Sequence, residues 1–262
     1  MNQSRFDEVK TLIKMLLDEM PKFSDWASKI PDDYVSQRTL LRGLMNLRKP
    51  GSLNPNFVEL QDKFLQEELN EKAMVSVYKL PETSISKIAL WQGDITRLQC
   101  DAIVNAANSQ MLGCFVPGHN CIDNCIHSAA GLQLREECAQ IIQKQGHDET
   151  SGGAKLTRGY NLPCKFVLHT IGPTINIRPT SQNERDLASC YLSCLNLATG
   201  EHFKSLVFPC ISTGVFSFPH QEAAGIAVRV VEEYLNDHPN APVVIFDVFL
   251  DMDYEIYNDL LN

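Results

Sequence analysis

The sequence predicts an α/β domain with helices on both faces of a mixed or mostly parallel sheet, preceded by a helical extension. Two observations predict it. From about Ser86 onward, short β-branched or apolar runs alternate with helical stretches, the pattern of a layered α/β fold. Before that point only helix-period patterns occur. The chain therefore divides into residues 1–85 and residues 86–262.

In the first part, Phe6, Val9, Leu12, Ile13, Leu16, Leu17 and Met20 recur at helix spacing, with Ser4 placed to cap the start and Pro21 to stop the run. A second helix is expected over 36–48, ended by Pro50-Gly51, and a third over 56–72. No catalytic constellation falls here, so these helices read as a cap packed on the main domain. In the second part, strands are expected over 87–91, 102–105, 166–170, 206–210 and 243–249. Helices are expected over 123–130, 132–144, 184–198, 221–236 and 254–261. In such sheets ligands bind beyond the carboxyl ends of the strands, so the segments after the strands are where chemistry is sought.

Composition narrows the function classes. The 262 residues are 44% hydrophobic and 21% charged, the balance of a globular protein. A net charge of −9 disfavours sequence-independent nucleic-acid binding. It does not disfavour a small anion held by backbone N–H groups. The most apolar segment is interrupted by Asp247, so no membrane span is expected. Asp7, Glu8 and Lys10 occupy the place of a secretory apolar region. Nine cysteines without an export signal point to a reducing, cytoplasmic setting.

Four post-strand segments carry candidate chemistry. Gly93-Asp94-Ile95-Thr96 offers a carboxylate for an exocyclic amine, although Gly-Asp is also a common turn. Asn105-Ala106-Ala107-Asn108 suits close approach to a sugar, or an Asx turn. Cys114, His119 and Cys121 place two thiols and an imidazole within eight positions, a zinc donor set with one tetrahedral position open. The alternative is two buried thiols and a loop histidine. Cys125 and His127 stand close enough to add a fourth ligand, but read better as positions inside a helix. Finally, Ser212, Thr213, Gly214, Val215 and Phe216 form a small strand-to-helix loop able to aim N–H groups at a diphosphate. The other six cysteines read as core.

Taken in order, these segments resemble the macrodomain family, which binds ADP-ribose, over about 175 residues from Ser86 onward. The resemblance rests on Gly93-Asp94-Ile95-Thr96, on the run from Asp101 to Asn108, on Ile122-Asp123 through Gly131, on Ala154 through Tyr160, on His169-Thr170-Ile171-Gly172-Pro173 and on Ile211 through Phe216. It implies a three-layer α/β/α macrodomain with a mixed central sheet. Where hydrolytic members of the common type carry a glycine run before a Val/Ile-Asp pair, this chain carries Cys114 through Cys121. That departure is similar to the zinc-containing bacterial branch, which also has a helical N-terminal extension. A smaller departure is Ser217-Phe218-Pro219, where Gly-Tyr-Pro is frequent.

The resemblance implies a zinc-dependent hydrolase releasing ADP-ribose from a mono-ADP-ribosylated protein. Asp94 would receive the adenine amine beside the Ile95 backbone. Asn108 would hold the distal ribose, with Asn105 supporting its loop. Ser212 to Phe216 would cradle the diphosphate, with Ile122 and Asp123 between phosphate and sugar. Zinc would sit on Cys114, His119 and Cys121, with Asp123 orienting or deprotonating a water. The branch also implies reversal of modification by a sirtuin-type transferase. Its implied target is an acidic side chain of a lipoyl carrier like the glycine-cleavage H protein, under oxidative stress. A non-catalytic ADP-ribose-binding module and an O-acyl-ADP-ribose deacylase are the alternatives.

Overall fold

The computed structural model describes residues 3–262. Four helices come first: α1 (Gln3–Glu19), the short α2 (Ser24–Ala27), α3 (Tyr34–Leu47) and α4 (Pro55–Glu71). Ser4 is not a cap, because it lies within α1. Asp33 caps α3 by accepting the Ser36 N–H at 3.0 Å. Asn54 caps α4, with Pro55 at its first position, where a missing N–H costs nothing.

These helices enclose their own core. Leu12, Leu16, Leu41, Leu44, Phe57 and Phe64 are almost wholly buried there, joined by Leu132 from the second part of the chain. Each such side chain contributes about 1.5–3 kcal/mol, more than the roughly 1 kcal/mol of a typical hydrogen bond. The polar seam with the main domain therefore orients the extension rather than forming it. In that seam the Gln61 side chain accepts the Leu132 N–H at 2.9 Å, and Arg48 pairs with Glu136 at 3.0 Å. A two-stranded parallel pair, β1 (Val75–Ser76) with β3 (Leu98–Gln99), also ties the helices to the second part of the chain.

The main sheet contains β2 (Ile88–Gln92), β4 (Ala102–Ala106), β5 (Ala154–Arg158), β6 (Phe166–Thr170), β7 (Ser205–Phe208) and β8 (Val243–Val248). Its order is β2-β8-β7-β4-β6-β5, parallel throughout except for the antiparallel edge strand β5. The five expected strands are present within a few residues. Strand β5 is an addition to them: Lys155, Thr157 and Arg158 break any apolar run at an edge that is only half buried.

Side-chain alternation sorts the strands onto two faces. Ala102, Val104, Leu168, Leu206, Phe208, Val244 and Phe246 face the core under α7 (Ser181–Gly200), α8 (His220–Asp237) and α9 (Asp251–Leu261). Ile103, Val167, Val207 and Ile245 face the core under α5 (Ile122–Ala130) and α6 (Leu132–Gln145). This is the expected three-layer α/β/α fold with a mixed sheet and an N-terminal helical extension. Among the described residues no helix is long and apolar enough to cross a membrane. All nine cysteines are free thiols.

Candidate active site

Two cavities meet along the carboxyl ends of the parallel strands. The first, of about 560 Å³, lies between the extension and the main domain, lined by Arg38, Arg42 and Lys72 on one side and Asp94, Ile95 and Cys125 on the other. The second, of about 740 Å³, is lined by Asn108, the segment with Cys114, His119 and Cys121, Asp123, Gly172 and the loop from Ser212 to Phe216. Asn120, Ile122, Asp247 and Phe249 line both, so the two form one elongated cleft.

At the first end, Asp94 follows β2. Its Oδ1 accepts the Thr96 N–H at 3.0 Å and the Thr96 hydroxyl at 2.6 Å, while Lys72 stands 3.6 Å from Oδ2. Phe249, just beyond β8, leaves an aromatic face in the cleft at 75% exposure. Asp247 is buried and its Oδ1 has no hydrogen-bond partner. Burial, and then the neighbouring Asp94 carboxylate, holds the Asp247 carboxyl well above its usual range.

In the middle, Ser212 follows β7 with a left-handed φ of 68°, and its buried hydroxyl is unpartnered. Strained backbone of this kind is kept where the surroundings impose it. Gly172 lies so close that a Cβ there would overlap the Ser212 hydroxyl and come within 2.8 Å of the Ile211 side chain.

At the far end, residues 113–121 run between β4 and α5 without regular secondary structure. The loop begins at Gly113, whose φ of +77° favours glycine and whose absent Cβ leaves room for the His127 ring. Candidate ligand atoms of Cys114, His119 and Cys121 all lie within 4.8 Å of one another. Cys114 Sγ is 3.8 Å from His119 Nδ1, which also accepts the Cys121 N–H at 3.3 Å. Cys121 caps α5, its sulfur accepting the Asn124 N–H at 3.4 Å. Burial first, then the nearby Cys114 and Asp123, push the Cys121 thiol up to about 12, against the pull of that N–H. Burial thus disfavours the thiolate here, and a bound divalent ion would favour it. Two soft sulfurs and an imidazole fit zinc.

Asp123 sits beside these donors, almost wholly buried. Its Oδ1 accepts an N–H from Asn105 at 2.8 Å and its Oδ2 one from Asn108 at 3.3 Å. Burial raises the carboxyl to about 6, opposed by the Asn105 hydrogen bond and by the Arg135 charge. Asn105 is therefore beneath the cleft, holding Asp123, while Asn108 lines the cleft itself. His127, one turn after Asp123 on α5, places Nε2 3.5 Å from Oδ1, with no well-aligned hydrogen bond on either nitrogen. Burial, then His169 and Arg135, drive its pKa well down, so its ring is neutral.

The structure thus brings Asp94, Ile95, Asn108, Cys114, His119, Cys121, Ile122, Asp123 and residues 212–216 to one cleft. Cys125, expected as a buried apolar position, is half buried at the cleft, 3.7 Å from Arg42 Nη2. Sequence reasoning misses Arg42, Asp247, Phe249 and the pairing of His127 with Asp123. The position of Phe249 after a strand is a usable signal, as is the four-residue spacing of Asp123 and His127. Arg42 offers none.

The comparisons with known proteins identify the fold. The Macro domain model matches residues 104–227. A protein of Treponema medium named protein-ADP-ribose hydrolase is 48% identical over 254 residues, covering 96% of this chain and 97% of that protein. A Staphylococcus aureus (strain MRSA252) protein of the same name is 47% identical over 234 residues, covering 89% of this chain and 88% of that one. A Trypanosoma brucei macrodomain in complex with ADP-ribose superposes with a TM-score of 0.66 at 30% identity, covering 84% of this chain and 95% of that chain. A mutant Oceanobacillus iheyensis macrodomain with ADPR gives 0.62 at 35% identity, covering 67% and 92%. With these relatives matching nearly the whole chain and the family model matching its centre, the chain belongs to the macro domain family.

Proposed function

We propose that this protein is a zinc-dependent hydrolase that releases mono-ADP-ribose from a modified protein. One observation carries the reading: the donor set of Cys114, His119 and Cys121 stands beside the buried carboxyl of Asp123 at one end of a cleft formed by two joined cavities of about 560 and 740 Å³. The names of the two bacterial relatives support it.

In this reading Asp94 and Ile95 take the adenine, with Phe249 against its face. The backbone of Ser212, Thr213, Gly214, Val215 and Phe216 receives the diphosphate. Ile122 lies between phosphate and sugar, and Asn108 holds the distal ribose. Zinc, when held by Cys114, His119 and Cys121, supplies Lewis-acid polarisation of a sugar or leaving oxygen. Asn105 and Asn108 aim the Asp123 carboxylate. That carboxyl, its pKa raised by burial, is placed to orient or deprotonate a water. His127 behind it stays neutral and adds no competing charge.

The division into a helical extension, residues 1–85, and a macrodomain, residues 86–262, belongs to the same reading, as does a cytoplasmic setting. So does the target: an acidic side chain on a lipoyl carrier resembling the glycine-cleavage H protein, modified by a sirtuin-type transferase under oxidative stress. The test is incubation of mono-ADP-ribosylated protein with the enzyme, with and without a chelator. Release that stops on chelation supports the reading. Tight ADP-ribose binding without release favours a binding module, and faster release from O-acyl-ADP-ribose a deacylase.

A further inference from the structure

We propose that helix α3, outside the residues matched by the family model, is the clamp that shapes the metal-binding loop, with Arg42 and Asn46 as its positioning residues. The inference rests on the reading that residues 114–121 hold zinc.

The loop has no strand or helix to satisfy its backbone, so its polar groups bond outward. Its apex is held by Asn46, whose side-chain oxygen accepts the Gly118 N–H at 2.9 Å. Gly118 has a left-handed φ of +65°, which turns that N–H toward α3. Asn46 is itself 1% exposed, and its amide donates to Ser128 Oγ at 3.0 Å. The end of the loop is held by Arg42. Its Nη2 donates to the carbonyl of the ligand His119 at 2.8 Å and to Asn124 Oδ1 at 2.9 Å. Asn124 in turn donates to the Val116 carbonyl at 3.0 Å and caps onto the Cys121 sulfur through its N–H.

Between these two side chains, Gly43 lets α3 lie directly under the turn. A Cβ there would come within 3.3 Å of Pro117 and 3.0 Å of Trp26. The start of the loop is held by Arg135, which donates to the Leu112 carbonyl at 2.6 Å and to the Met45 and Asn46 carbonyls at the end of α3. Start, apex and end of the loop are therefore all referred to one helix.

Groups that orient ligands without touching the metal typically change metal affinity by about 10- to 100-fold when removed. The experiment compares full-length wild type with Arg42→Ala, Asn46→Ala, Arg42→Lys and Cys121→Ala. Zinc dissociation constants are measured by competition with a chromogenic chelator, cobalt-loaded forms by absorption, and the metal-free forms by thermal unfolding. Arg42→Ala and Asn46→Ala are expected to bind zinc about 10- to 100-fold more weakly. Their cobalt bands should shift, while metal-free Tm stays near wild type in Arg42→Ala and falls by only a few degrees in Asn46→Ala. Arg42→Lys should recover part of the affinity through one restored donor.

Zinc affinity within about twofold of wild type in both alanine variants, while Cys121→Ala has lost it, overturns the clamp and leaves the proposed function standing. Wild type that holds no zinc overturns both. An affinity loss matched by a collapse of metal-free Tm, with no recovery in Arg42→Lys, also overturns the clamp. If Asn46→Ala fails to fold, the two Arg42 variants decide the matter.

Discussion

The two ends of the cleft are built by different means. At the end with Asp94 and Phe249, the main-domain wall, which faces Arg38, Arg42 and Lys72 of the extension, follows strands of the parallel sheet, Asp94 after β2 and Phe249 after β8. The ladder of hydrogen bonds fixes their spacing, and the positions are those any sheet of this topology offers a ligand. At the other end, Cys114, His119 and Cys121 ride on a loop whose geometry comes from side chains of α3, α5 and α6. In the proposed reading the first end takes its adenine-binding groups from the sheet, with the extension as the opposite wall. The second needs the extension to arrange reacting groups. In the proposed reading, recognition of the adenine and the chemistry are carried by different ends of the cleft, and substitutions should separate them.

The largest separation is expected from Cys121→Ala. Loss of Lewis-acid stabilisation worth several kcal/mol lowers turnover by about 1,000-fold or more. ADP-ribose affinity, measured by calorimetry, changes little in comparison. Equal losses of both would merge the two ends into one unit. Asp123→Ala comes next, with a fall in turnover of about 100-fold or more and zinc content near that of wild type.

Phe249→Ala tests the opposite end. Losing an aromatic stacking contact of about 1–1.5 kcal/mol weakens ADP-ribose binding roughly 5- to 10-fold. The rate of a saturated single turnover should be unchanged. A selective loss of rate instead would place this aromatic ring in the chemistry.

The smallest effect concerns Asp247. Its folded pKa stands above the unfolded value, so the native state binds the extra proton and stability falls as pH rises from about 4. Asp247→Asn removes that penalty. Tm should therefore rise at pH 7, by about 2–4 °C for each kcal/mol recovered, and the gain should vanish below about pH 4. A gain that persists at low pH would assign the effect to packing rather than charge.

Legibility in the sequence divides along the same line. The interior strands are short apolar runs between turns, and the segments after them carry most of the cleft. The convergence of Cys114, His119 and Cys121 is legible because they stand within eight positions of one another about a Pro-Gly turn. Strand β5 escapes the pattern because an edge strand tolerates lysine and arginine, here on both of its faces. Ser4 misleads because its residue type suits a cap, yet the helix starts before it. Arg42 and Asn46 are illegible for another reason. On a helical wheel they look like solvent positions, and the loop they serve lies more than 70 residues on. His127 reads as an ordinary helix position, although its spacing from Asp123 puts both on one face.

The most direct test is single-turnover release of ADP-ribose from a defined mono-ADP-ribosylated protein. It is run with metal-depleted enzyme, before and after one equivalent of zinc is returned. The account predicts negligible release before and full recovery after. Undiminished release by the metal-depleted enzyme would contradict it.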